Sequence, residues 1–126
     1  MINIEPNVKF PRRFAYMPSN TISVDTIREK ITPILRNYPV KKVILFGSYA
    51  KDNATIGSDI DLYIDTNGKL RGLDFIGLLE LLVETLGIDI DLIDKSHIEP
   101  DSLIMKEIEN GGIVIYEKSE DYPEDN

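Results

Sequence analysis

Cysteine is absent from the 126 residues, which excludes disulfides, thiolate metal sites and thiol catalysis, so any metal chemistry falls to oxygen ligands. There is a single histidine, His97, with no nucleophile or second histidine near it. That excludes an imidazole-built metal site or a Ser-His-Asp arrangement, and His97 reads as structural. Long apolar runs are also missing: stretches such as 43–46 and 78–83 fall far short of the roughly 20 residues that a membrane-spanning helix needs. The N-terminus carries no apolar core of signal-peptide type. The expectation is a soluble, cytoplasmic protein without membrane contact. Basic residues are in the minority, 14 Lys and Arg against 22 Asp and Glu, for a formal charge of -8. Such a surplus repels a phosphate backbone and argues against direct nucleic-acid binding. Much of it is terminal: Glu117, Glu120, Asp121, Glu124 and Asp125 against Lys118 give residues 117–126 a net -4, leaving -4 for residues 1–116.

What is present fits one domain. A hydrophobic content of 42% at this length supplies a single core. Residues 1–22, with Pro6, Pro11, Pro18 and the adjacent Arg12 and Arg13, lack periodicity and read as an irregular arm. Residues 23–116 read as the domain, and 117–126 as an acidic, disordered tail. Within the domain, Ile27, Ile31, Ile34 and Leu35 lie on one helical face from about Ser23 to Asn37-Tyr38-Pro39, with Pro33 expected to kink it. Val43-Ile44-Leu45-Phe46 ends at Gly47 and suits a buried strand, followed by a turn onto a short helical segment. Residues 59–65 alternate polar and apolar, so that the aspartates share one sheet face. The stretch 73–86 is helical, its leucines core-facing, and Gly87 closes it. A strand at 88–93, a short helix at 101–109 and a strand at 113–116 complete an α/β (α+β) single domain, a mixed sheet of about four strands flanked by helices.

Asp59 and Asp61 project from the same strand face roughly 6.5–7 Å apart at Cα, near enough for their carboxylates to converge on shared cations. Such oxygen donors suit Mg²⁺. The second "DIDL" string, 89–92, offers Asp89 or Asp91 as a third carboxylate, and periodicity cannot separate the two. Gly47-Ser48 stands where a buried strand turns, so that glycine permits close backbone approach and the Ser48 hydroxyl, with amides at the start of a helical turn, can hold phosphate oxygens.

The string "GSYAKDNATIGSDIDLYID", with Gly-Ser, residues 49–58 and then Asp-x-Asp, resembles the signature of the DNA polymerase β-like nucleotidyltransferase superfamily. The resemblance covers roughly residues 23–116. At this size the chain is similar to the minimal nucleotidyltransferases, the MNT antitoxins encoded beside HEPN toxins. The resemblance implies the polymerase β-like fold, Gly47 and Ser48 as the nucleotide-binding turn, and Asp59 and Asp61 as ligands of Mg²⁺, two ions in all. It implies Asp91, in Ile90-Asp91-Leu92-Ile93, as the third ligand and an aid to deprotonation. It further implies ATP as donor of an AMP group to a tyrosine of a partner HEPN ribonuclease, which is thereby silenced. Gly57-Ser58, a second Gly-Ser pair directly before Asp59, departs from the pattern.

Two other functions remain open: a non-catalytic antitoxin that masks its toxin by binding, and a transferase acting on a small hydroxylated molecule. Among the remaining polar residues, Lys51 reads as an exposed lysine within reach of a triphosphate, and Arg71 as a solvated loop residue. Asp89 and Asp94 read as a solvated strand face, Asp65 as a strand-end residue before Asn67-Gly68, and Tyr49 as packing near the turn.

Overall fold

The structure, a computed structural model, describes residues 21–118. Most of the arm expected at 1–22 and of the tail expected at 117–126 lies outside the described residues.

Helix α1, Val24–Leu35, begins where Ser23 caps it, the Thr26 amide donating to Ser23 Oγ at 3.0 Å; a hydroxyl at this position satisfies one of the donors that the first turn leaves open. Ile27, Ile31 and Leu35 form its buried stripe. Pro33 lies inside α1, which continues to Leu35. So close to the C-terminal end, the missing donor affects only the last turn. Strand β1, Lys42–Phe46, leads to β2, Ile60–Asp65. Helix α2, Leu73–Leu86, ends at Gly87 with φ 71°, a left-handed residue that glycine adopts without a Cβ penalty. Then follow β3, Ile90–Asp94, a 3₁₀ turn at Lys95–His97, α3, Leu103–Gly111, and β4, Ile113–Glu117.

The four strands form one mixed sheet in the order β3-β2-β1-β4. β1 is antiparallel to both β2 and β4, while β2 and β3 run parallel. The parallel pair requires a crossover, and α2 supplies it. Alternation along the central strands divides the core in two. Val43, Leu45, Ile60, Leu62 and Ile64 pack with α1 and with Leu78 and Leu82 of α2. Phe46 and Tyr63 point the other way and pack with Ile108 of α3. Each fully buried Ile or Leu contributes about 1.5–3 kcal/mol, so the first cluster dominates stability and the second fastens α3 beneath the sheet.

Three local expectations are corrected. The chain after Gly47 makes a single helical turn, Ser48 to Asp52 being turn and not helix; so few residues do not repay helix nucleation. The face shared by the aspartates is not uniformly polar, since Tyr63 and Asp65 are buried on it. Asp94 is not solvated but 8% exposed, its Oδ1 accepting from the Ser96 amide at 2.8 Å, which caps the 3₁₀ turn. Asp65 ends β2 as expected and accepts from the Asn67 amide at 3.1 Å. Among the described residues, no helix is long and apolar enough to cross a membrane.

Candidate active site

β1 delivers Gly47 to the end of the sheet with φ 79°, and the antiparallel register sets its neighbour Phe46 opposite Asp61. A Cβ on Gly47 would run into the Asp61 carboxylate. Glycine is needed here twice, once for the left-handed backbone and once for the space that Asp61 takes. The turn that follows is closed by the Ala50 and Lys51 amides donating to Gly47 O, each at 3.1 Å, and by the Asn53 amide donating to Ser48 O at 3.0 Å. Among the described residues the Ser48 and Tyr49 amides have no acceptor, as at the open start of any helical turn. Tyr49, 5% exposed, anchors the turn in the large core cluster. Burial first, and the Asp59 carboxylate second, raise its hydroxyl above the ordinary tyrosine range.

Asp61 and Asp91 are direct partners in the parallel β2/β3 register. Neighbouring strands lie about 4.7–4.9 Å apart, so these two side chains leave the sheet together on one face. Asp59 stands one residue before β2 and is exposed. Asp89 falls just before β3, and its carbonyl accepts from the Ile60 amide at 3.0 Å. The register thus sets Asp91, and not Asp89, opposite Asp61. The extra Gly57-Ser58 pair closes a turn ahead of Asp59: the Thr55 amide donates to Ser58 Oγ and the Ser58 amide to Thr55 O, both at 2.9 Å.

Burial, then Asp91, Asp59 and Glu107 in that order, push the Asp61 carboxyl up to about 6. Each neighbour is acidic, so the second charge on this patch is disfavoured for want of a counterion. Among the described residues no group of three or more acidic or histidine side chains is arranged as it stands to hold a metal ion. The three aspartates are thus electrostatically coupled without converging on one point.

Glu107, on α3, is a member of this acidic patch that the motif did not contain. Its signal lay in the helical period, which sets Glu107 beside Ile104 and Ile108, the residues that seat α3 against the sheet. Glu107 Oε2 pairs with Lys51 Nζ at 3.5 Å, tying α3 to the turn after Gly47. Lys51 remains exposed and stands next to the turn.

Residues 29–121 match the family described as "Polymerase beta, Nucleotidyltransferase". "Putative protein adenylyltransferase MJ1217" of Methanocaldococcus jannaschii is 38% identical over 93 residues, 73% of this chain and 94% of the relative. A solved "toxin-antitoxin with AMP-PNP" shares the fold with a TM-score of 0.63 at 24% identity, over 75% of this chain and 76% of its own. A "tri-AMPylated Shewanella oneidensis HEPN toxin in complex with MNT antitoxin" does so with a TM-score of 0.58 at 22% identity, over 78% and 76%. The mixed sheet with a Gly-Ser turn at its end, the match over most of the chain and the well-covered archaeal relative agree: this chain belongs to the polymerase β-type nucleotidyltransferase family.

Proposed function

We propose that the protein is a Mg²⁺-dependent protein adenylyltransferase that moves AMP from ATP to a tyrosine hydroxyl of a cognate HEPN-family ribonuclease and so acts as its antitoxin. The observation that carries the chemistry is the pairing of Asp61 with Asp91 across β2 and β3, beside a glycine whose missing side chain leaves room for the Asp61 carboxylate. The donor and acceptor draw support from the relative named as a protein adenylyltransferase and from the solved toxin-antitoxin structures, one with an ATP analogue and one with an AMPylated toxin. An ATP-using reaction of this kind belongs in the cytoplasm.

Asp59, Asp61 and Asp91 offer the oxygen donors that a hard divalent cation prefers, and a cation there would offset both the burial and the acidic neighbours that raise the Asp61 carboxyl to about 6. When bound, Mg²⁺, two ions on this reading, neutralises charge on the phosphates and lowers the cost of deprotonating the attacking hydroxyl. Gly47 and Ser48 hold the terminal phosphates through the Ser48 hydroxyl and the open amides of the turn. The acceptor oxygen bonds to the α-phosphorus in line as the bond to pyrophosphate breaks, and Asp91 takes the hydroxyl proton.

The test is the double substitution Asp59→Asn, Asp61→Asn, incubated beside the unaltered protein with ATP labelled on its α-phosphate and a cell extract. The unaltered protein should label a protein band, and the variant should bind that protein without labelling it. Label on a small soluble product would favour a small hydroxylated acceptor. A variant that silences the toxin as well as the parent would favour masking.

A further inference from the structure

At the other end of the strands lies a cleft of about 180 Å³ whose walls include Lys41, Thr66, Asn67, Lys69 and Lys118. Lys41 directly precedes β1 and Gly47 directly follows it, so the cleft and the Gly-Ser turn are roughly 20 Å apart at about 3.3 Å per residue. The walls are held by backbone pairs: Lys41 N to Asp65 O at 2.7 Å, Lys118 N to Lys41 O and Lys69 N to Thr66 O, each at 2.9 Å. Three lysines from three separate parts of a chain that is acidic overall thus line one cleft.

Two observations point to a ligand. Neighbouring lysines are paired, Lys42 with Glu117 at 3.4 Å and Lys95 with Asp65 at 3.5 Å, whereas among the described residues Lys41, Lys69 and Lys118 make no ion pair. The Thr66 hydroxyl in the same wall is buried and has no hydrogen-bond partner. Buried hydroxyls are ordinarily satisfied, and one left alone is destabilising. An anion in this cleft supplies charge to the lysines and an acceptor oxygen to the wall. Ligand sites for drug-sized molecules run from about 300 to 1,000 Å³, so this space admits one tetrahedral anion and not a whole nucleotide.

We propose that the cleft is a second anion site, which takes a single phosphate group, free or at the end of a larger molecule, without a metal ion. The test is an amide NMR titration of the full chain in excess EDTA with inorganic phosphate, and in a parallel arm with AMP, at constant ionic strength. Saturable shifts should gather at Lys41, Asn67, Lys69 and Lys118. Tighter binding of phosphate than of AMP identifies a free anion, and the reverse order a terminal phosphate; both support the site. Lys69→Ala and Thr66→Val should each weaken binding about tenfold, the scale of one charge-assisted contact or one satisfied buried hydroxyl. Lys69 is exposed, so its variant keeps the fold if Thr66→Val does not, and it should leave Mg²⁺-dependent labelling unchanged. Shifts confined to Ser48–Lys51, unaltered affinity in the variants, or equal shifts with chloride would overturn the proposal. So would shifts at these amides in a Glu120→Gln, Asp121→Gln chain without phosphate, which would make the chain's own acidic segment the occupant.

Discussion

At the scale of single residues, the site stores a cost in its carboxylates that a cation would release. Asp61 titrates near 6 instead of 3.8 because burial and three acidic neighbours oppose its charge. Between those values the folded chain holds a proton that the unfolded chain has given up. The stability that Asp61 contributes is therefore fully present below the lower value and is lost as pH rises through the higher one. Asp61→Asn removes the titrating group. Without divalent cations, the variant should melt higher than the parent near pH 7.5, and the gap should narrow towards pH 4, as followed by calorimetry in EDTA; a variant that melts lower at the upper pH would contradict the origin given for the shift. Gly47, Asp59 and Asp61 were readable from type and spacing. The helical period sets Glu107 on the face that packs against the sheet, but neither its place beside Asp61 nor the burial of Asp94 was readable, because each depends on the element faced, which neighbours in sequence do not specify.

At the scale of elements, α2 shows how far periodicity reaches. Its expected bounds, 73–86, agree with those found, because Gly72 and Gly87 mark both ends. Its aliphatic residues divide: Leu78, Leu82 and Leu86 are buried, while Leu73, Ile76 and Leu81 are exposed. The expectation of a core-facing leucine stretch holds for one stripe only. Leu82→Ala should cost about 2–5 kcal/mol, the range for truncating a closely packed aliphatic residue, and Leu73→Ala, at a position 84% exposed, no more than about 0.5 kcal/mol. Urea denaturation at constant m-value separates the two, and equal losses would contradict the buried stripe assigned here. After Gly47, where a turn onto a short helical segment is expected, the turn is found without the helix, because so few residues do not repay helix nucleation. Strand ends shifted by a residue or two where backbone pairing, and not alternation, sets the boundary, as at Asp59 and Asp89.

At the scale of the whole molecule, the sheet brings two distant segments to one edge, and binding there should be felt globally. A ligand at about 100 times its dissociation constant adds about 2.7 kcal/mol to stability, and for a domain of this size each kcal/mol is worth about 4 °C. Mg²⁺ and ATP together should thus raise the melting temperature by roughly 10 °C, with much less for either alone and none for the Asp59→Asn, Asp61→Asn protein. Scanning fluorimetry with the four combinations provides the measurement. An equal rise with ATP alone would point to phosphate binding without the aspartates.

The sequence by itself determined the order of helices and strands, the glycine stops, the Gly47-Ser48 bend and the close spacing of Asp59 and Asp61, since each depends on residues close together in the chain. Only the tertiary structure decided that Asp91 faces Asp61, that α3 carries Glu107 to Lys51, and that Lys41, Lys69 and Lys118 share a cleft. Alternation tells a strand which residues share a face but says nothing of its partner or register, and those are set by long-range packing of the whole core.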